Sequence, residues 1–396
     1  MNQLKLGTSE NLDNNNLNNV EDNNQPSVEY AVRHDLRIAH YNIKNFGILE
    51  ESEATNEYRY KIKSLAYNIS EINPDVIGIT ELNYNKEYEV SKIVDQLNLY
   101  SKSRSRNYKF ILQTPEEADN PEVNSDTVEQ IAIVYDANKI DPSLFSNNSS
   151  SASFHGSIQL IGENGTFTNK RKRYQRPPFG ARFKLKSNNK FFTTIFAHFD
   201  SPGVKFKYGE ISIKKVPDGN GGAIPLAQNQ GNFEISEAYG LTYVIDYFKN
   251  LGAEKIIFAG DTNIKSNNEK AFITSFQRGY LAGWKDFNQD KYLTSFGQNQ
   301  SIDAFLSNRR STGYSQPYDK MIYDTAYFRQ SEKNKDIFKL DVLNMYKNWR
   351  ENKKNETYKS TIESIWNEEV GTSTTPSNYF SKTSDHLPVY IDLEFI

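Results

Sequence analysis

The sequence contains no cysteine. That excludes disulfide scaffolds, thiolate metal centres and cysteine nucleophiles. It has no run of about 18 apolar residues, so no stretch reads as a membrane-spanning helix. The N-terminal MNQLKLGTSENLDNNN carries no apolar signal core. A dominant charge is missing as well: 47 Lys and Arg oppose 50 Asp and Glu, for a net charge of −3. A uniformly basic nucleic-acid coat is therefore excluded, although a local basic groove is not. Tryptophan is scarce at three residues, yet Tyr and Phe number 25 and 24. Those aromatics supply a large core and exclude a wholly disordered chain.

At 396 residues the length prior allows two or three domains, and large α/β sandwiches exceed it as single units. Residues 1–29 are Asn-rich and aperiodic and read as a flexible tail or tether. A single folded body is expected over 30–396. Leu36–Asn42 and Asp75–Leu82 read as buried strands around a helix at Tyr58–Asn73, which Pro74 stops. A short helix through Val90 and Leu97 follows. Further strands are expected near Phe110–Gln113, Glu129–Tyr135, Ala181–Lys186, Phe191–His198, Lys255–Gly260, Tyr323–Phe328 and Pro388–Phe395. Glu234–Asn250 and Glu269–Gly279 read as helices, and Lys347–Lys359 as a charged, solvated one. The Gly- and Pro-rich stretch over 201–232 breaks the rhythm and is expected to be a loop insertion. An early βαβ pattern followed by many strands predicts an α/β fold with mixed sheets.

Several expected strands end in polar or ionisable residues. Asn42 ends the first and Glu81 the second. His198 and Asp200 end FFTTIFAHFD, Asp261 and Asn263 follow KIIFAG, and Asp385 and His386 precede the last strand. Each alone has an ordinary structural explanation. Asp261 suits an Asx-turn or helix cap, His198 a satisfied core histidine, and Asp385 a turn before proline. Their recurrence at strand ends, on one rim of a rigid sheet system, is what points to a preorganised site.

Taken in order, HYN at Asn42, GITEL at Glu81, FAHFDSP at His198, GDTN at Gly260–Asn263, PYDKMIYD at Asp319 and SDH at Ser384–His386 carry a resemblance. The chain resembles the endonuclease/exonuclease/phosphatase superfamily, and within it the deoxyribonuclease I-like nucleases and the membrane-associated nucleases of mycoplasmas. The resemblance implies a four-layer sandwich of two packed mixed β-sheets flanked by helices. It implies metal binding by Glu81, Asn42 and Asp385, and a catalytic set of His198, His386, Glu129, Asp319, Asp261 and Asn263. Glu129 would orient His198 and Asp319 would orient His386. Arg176 would contact a phosphate. The implied cofactor is Mg²⁺, with Ca²⁺ or Mn²⁺ as alternatives. The implied setting is extracellular or cell-surface, with a membrane tether through an N-terminal leader and no obligate protein partner.

Chemistry supports those roles independently. A phosphodiester is anionic and repels hydroxide, so cleavage needs charge neutralisation, an activated water and help for the leaving group. Hard oxygen ligands suit Mg²⁺, and two imidazoles can divide base and acid duties near neutral pH. His386 is expected as the base and His198 as the acid, with the reverse left open. The basic run at Lys170–Arg176 suits a DNA or RNA nuclease with little sequence specificity. The cluster of Lys102, Arg104, Arg106 and Lys109 reads as a solvated face. Three other functions compete. An abasic-site endonuclease would typically carry Asn in place of His198. A sphingomyelinase-like lipid or inositol-phosphate phosphodiesterase shares the motifs, but the 201–232 stretch shows no aromatic membrane wedge. A non-enzymatic adhesin or toxin subunit would have no need of the assembled ionisable set.

Overall fold

The computed structural model describes residues 35–46, 55–83, 87–122, 128–204, 206, 209–283 and 290–396. The Asn-rich segment over 1–29 lies outside the described residues. Among those described, no helix is long and apolar enough to cross a membrane.

Alternation of side chains builds the layers. Along the central strand Leu36–Phe46, Leu36 and Ile38 enter one core while Ala39, Tyr41 and Ile43 enter another. Val76 and Ile77 on strand Val76–Asn83, and Ile133 and Val134 on strand Glu129–Asp136, divide in the same way. Such period-two partition is what a strand buried on both faces produces. The first sheet has six strands, in the order Phe328–Gln330, Val389–Phe395, Leu36–Phe46, Val76–Asn83, Glu129–Asp136 and Tyr108–Leu112. The second sheet has seven. Six run in the order Tyr280–Ala282, Asp319–Asp324, Ile256–Asp261, Phe191–His198, Phe179–Leu185 and Ile140–Pro142, and Ser151–Ser153 also pairs with Phe179–Leu185. Both sheets mix parallel and antiparallel neighbours. Helices Asn56–Ile72, Glu87–Ser101 and Lys353–Glu369 cover the outer face of the first sheet. Helices Asn232–Tyr239 and Leu241–Asn250 pack on the second. The result is a four-layer α/β sandwich.

Gly78 sets how closely the two sheets approach. A Cβ at that position would sit 2.0 Å from Cδ1 of Phe196 on the facing sheet. Helix Asn56–Ile72 forms where expected. The Thr55 hydroxyl accepts from the Tyr58 N–H at its start, and left-handed Asn73 closes it before Pro74.

Several expected elements differ. The strand expected over Tyr323–Phe328 is the end of one strand, Asp319–Asp324, and the first residue of another, Phe328–Gln330, with a turn between them. The helix over Glu234–Asn250 is split at Gly240, where a Cβ would meet Ile158 Cγ2 at 2.8 Å. The expected loop over 201–232 contains a hairpin, Ser212–Pro217 paired with Ala223–Gly231. The Asp218 carboxylate closes its turn by accepting from the N–H groups of Asn220 and Gly222. The charged Lys347–Lys359 stretch ends one helix and begins another, Lys353–Glu369, which buries Tyr358, Ile362, Ile365 and Trp366. The apolar spacing that anchors that second helix begins only at the end of the charged stretch.

Gly78→Ala is expected to lower stability by about 1–3 kcal/mol through overpacking. Urea midpoints would register it, and adding Phe196→Leu should recover part of the loss. An unchanged midpoint would mean that the sheets have room to part.

Candidate active site at the joint rim of the two sheets

Strand registers bring the ionisable residues together. On the second sheet His198 lies beside Asp261, and Asp261 beside Asp319, so the three form one row across three strands. On the first sheet Asn42 is level with Thr80, and Asn83 with Glu129. His386 comes from the segment before Val389–Phe395 and pairs with Ser295 as an isolated bridge.

Glu81 reaches this rim because the strand is distorted there. The pairing register shifts between Ile79 and Leu82, and Glu81 takes a left-handed backbone with φ 62°. A non-glycine residue held that way costs about 1–3 kcal/mol. Both oxygens of its carboxylate are secured. Oε1 accepts from Asn42 Nδ2 at 2.7 Å and Oε2 from the Asn45 N–H at 2.8 Å. Lys44 and Asn45 are also left-handed, which folds the strand end back over Asn42 and Glu81. Asn42 Nδ2 also donates to Asp261 Oδ2 at 2.9 Å, so one amide ties the two acids together.

Each of the two histidines is held from behind by a carboxylate. His198 Nδ1 lies 2.7 Å from Glu129 Oε2, and His386 Nδ1 lies 2.7 Å from Asp319 Oδ2. The far nitrogens point at the same atom. His198 Nε2 is 3.7 Å and His386 Nε2 3.5 Å from Asp261 Oδ2. His198 Nε2 is also 3.7 Å from Glu81 Oε1. Tyr318 stacks on the His386 ring at 6.3 Å between centroids.

These contacts set the charge states. Burial alone would raise the Glu129 carboxyl, but Arg176 and His198 outweigh it and bring the pKa down to about 2. Burial would likewise raise Asp319, and His386 and His40 hold it well below the ordinary carboxylate range. For His386, burial pulls down, while Asp319 and Asp261 push up to about 10. His198 is raised less decisively. Burial and Arg176 oppose its protonation, and Glu129 and Asp261 support it.

Arg176, expected at a phosphate, is turned inward. It pairs with Glu129 Oε1 at 2.7 Å and donates to the Phe199 carbonyl at 3.0 Å. It steadies the carboxylate behind His198. Asn263 is left-handed; its N–H donates to Asp261 Oδ1 and its Nδ2 to the Phe199 carbonyl. Asp385 Oδ1 is buried without a hydrogen-bond partner among the described residues.

Two contributors escaped the sequence reading. His40 is fully buried beside Asp319, with Thr80 behind it. Glu237 accepts from the N–H groups of Gln175 and Asp200 at 2.6 and 2.7 Å, which fixes the segments leading to Arg176 and away from His198. For His40 a signal existed, since it continues the inward-facing period of Leu36, Ile38 and Asn42. No comparable pattern marks Glu237.

Ligand atoms of Glu81, His198 and Asp261 lie within 4.8 Å of one another. The carboxylate oxygens of Glu81 and Asp261 in that group, together with the orphaned oxygen of Asp385, fit a hard divalent cation.

No family model matches the chain. An uncharacterised protein of Mycoplasma pneumoniae is 30% identical over 155 residues. That match takes in 39% of this chain and 27% of the relative's length. Among solved structures, an endonuclease/exonuclease/phosphatase family protein from Bacteroides thetaiotaomicron is similar at TM-score 0.45 and 14% identity, over 90% of this chain and 97% of the other. A mannosyl-6-phosphatase of the same organism is similar at 0.46 and 12%, over 91% and 100%. TDP2 of D. rerio, complexed with a single-strand DNA product, is similar at 0.46 and 14%, over 91% and 98%.

The Glu129 carboxyl, held at about 2 against an ordinary 4.5, contributes stability above the ordinary value that is lost as pH falls toward 2. In chelator, Glu129→Gln should therefore lie furthest below wild type near neutral pH. The gap should narrow between about pH 5 and pH 3 in urea titrations. A gap independent of pH would show that the Arg176–Glu129–His198 pairing contributes nothing to the acid limb.

Proposed function

We propose that the protein is a divalent-metal-dependent phosphodiesterase that cuts nucleic acid, DNA foremost, with little sequence preference. One observation carries this reading: two carboxylate-backed imidazoles present their free nitrogens to one Asp261 oxygen beside Glu81. A phosphodiester needs a proton taken from water on one side and a proton delivered to the leaving oxygen on the other. A pair of histidines flanking one point supplies both.

Glu81, Asp261 and Asp385, with Asn42 beside them, would hold Mg²⁺ or a similar ion, which supplies charge neutralisation for the phosphoryl oxygens when bound. The chain's own groups do the rest. Asp319 and Glu129 fix which ring nitrogen of each histidine faces the substrate. Three carboxylates, Asp319, Asp261 and Asp385, support a proton on His386. His198 is raised as well but less decisively, with burial and Arg176 working against its proton and Glu129 and Asp261 for it. We therefore assign proton delivery to His386 and proton acceptance to His198, the reverse of the order favoured from sequence.

The basic strand Phe167–Arg173 supports a polyanionic substrate. Lys170 and Arg171 are exposed on it, while Lys172 turns toward Glu237 and lies over the Phe233 ring. The strand runs on through Tyr174 into Arg176 and the site. Exposed cations leading to a phosphate-cleaving rim suit backbone contacts, which carry no sequence information. By contrast, Arg106 is committed inside the fold to Asp75 and Asp136, and Arg104 pairs with Glu71. An extracellular or surface-held enzyme, like the membrane-associated nucleases it resembles, is the setting proposed here.

Supercoiled plasmid with Mg²⁺ should be nicked, then linearised and fragmented. Chelator should stop this, and His198→Ala should slow it by about a hundredfold or more. Release of headgroups from sphingomyelin with plasmid left intact would replace the nuclease with a lipid phosphodiesterase. The proton assignment has its own test. A p-nitrophenyl leaving group, which needs no proton, should rescue His386→Ala and not His198→Ala, and selective rescue of His198→Ala would restore the original order.

A further inference from the structure

We propose that His40 is a positioning residue that locks the Asp319 carboxylate so that His386 faces the reacting phosphate. The proposal rests on the phosphodiesterase reading of the rim and adds a group that this reading does not require.

His40 lies on the central strand of the first sheet and has no exposed surface. Its ring spans the gap to the second sheet. Nε2 is 3.0 Å from Thr80 Oγ1, and Nδ1 is 3.0 Å from Asp319 Oδ1. Neither His40 Nδ1 nor Asp319 Oδ1 has a hydrogen-bond partner of good alignment among the described residues. Each is thus the polar neighbour the other depends on. Two buried polar atoms left idle would be costly, and facing each other relieves both.

The Thr80 hydroxyl is both donor and acceptor, and the carboxylate is an acceptor only. If the Thr80 hydrogen goes to His40 Nε2, then Nδ1 carries the ring hydrogen and donates it to Asp319. That arrangement is the one in which every atom of the chain is used. Asp319 then faces one imidazole nitrogen on each oxygen, His40 Nδ1 at 3.0 Å from Oδ1 and His386 Nδ1 at 2.7 Å from Oδ2. The need for two holds is physical. The last torsion of an aspartate is broad and weakly restrained, so a single bond leaves the carboxylate free to swivel. With swivelling, the His386 ring turns as well, and its Nε2 drifts from Asp261, now 3.5 Å away. A misplacement of about 1 Å can cost two orders of magnitude in rate.

A histidine that merely filled the core would tolerate any substitute of similar volume. Two variants of the full chain separate the roles: H40L keeps bulk without a donor, and H40N offers an amide N–H near the same place. One readout is the His386 Nδ1–H signal in ¹⁵N–¹H spectra of the chelator-treated protein. The other is kcat and KM on a fluorogenic DNA oligonucleotide with Mg²⁺. H40L should lose or shift the signal. It should also lower kcat by about tenfold or more, with KM within about twofold. H40N should keep the signal and recover most of kcat. An unchanged signal in H40L, or an H40N no better than H40L, overturns the proposal. If H40L does not fold by circular dichroism, Thr80→Val takes its place: it frees Nε2, should disturb the same signal, and refutes the proposal if it leaves that signal intact. Absence of turnover in the wild type would sink the nuclease reading alone, because the His386 signal still decides the role of His40.

Discussion

Everything at the rim depends on how closely two sheets can pack. Facing sheets lie about 10 Å apart when ordinary side chains fill the gap. At Gly78 there is no side chain, and the Phe196 ring occupies the space. This interlock sits a few residues below the strand ends. It draws Asn42 and Glu81 of one sheet toward Asp261 and His198 of the other, close enough for a single amide to bridge two carboxylates. The site is therefore not carried by either sheet. It exists in the slot between them, and its dimensions follow from apolar packing.

Within that slot the charges are arranged in depth. Asp261 and Glu81 lie at the centre, with the histidines around them. Behind each histidine stands a carboxylate, and behind each carboxylate another donor: Arg176 behind Glu129, and His40 behind Asp319. A polar neighbour behind each carboxylate keeps the buried group company and fixes ring orientation without help from substrate. The strain at Glu81 belongs to the same design, since the left-handed turn is what swings an otherwise lateral side chain to the rim.

Much of this was legible in the sequence, because strand ends announce themselves. Runs such as DVIGIT, FFTTIFA and KIIFAG have one physical explanation, and the polar residue after each had to lie on a rim. The pairings of Glu129 and Asp319 were carried by resemblance, since register cannot be read from a lone strand. Arg176 was likewise placed by resemblance, and what its position along the chain could not show is its pairing with a neighbour 47 residues away in sequence. His40 was passed over because a histidine in an apolar strand looks like filler until the facing strand is known. The split at Gly240 and the hairpin within 212–231 were hidden for a related reason. Both are decided by what packs against them, Ile158 in the first case and a paired strand in the second.

The strand order of the first sheet has a temporal consequence. Its central strand, which bears His40 and Asn42, pairs Leu36 with Leu393 from the final strand. His386 immediately precedes that strand. A chain leaving the ribosome thus makes its first site residues hundreds of residues before the partner strand that shelters them. Until that last strand emerges, the exposed edge of Leu36–Phe46 has no neighbour on one side, and the reacting groups have no common slot. Folding and competence arrive together, once that strand has been made.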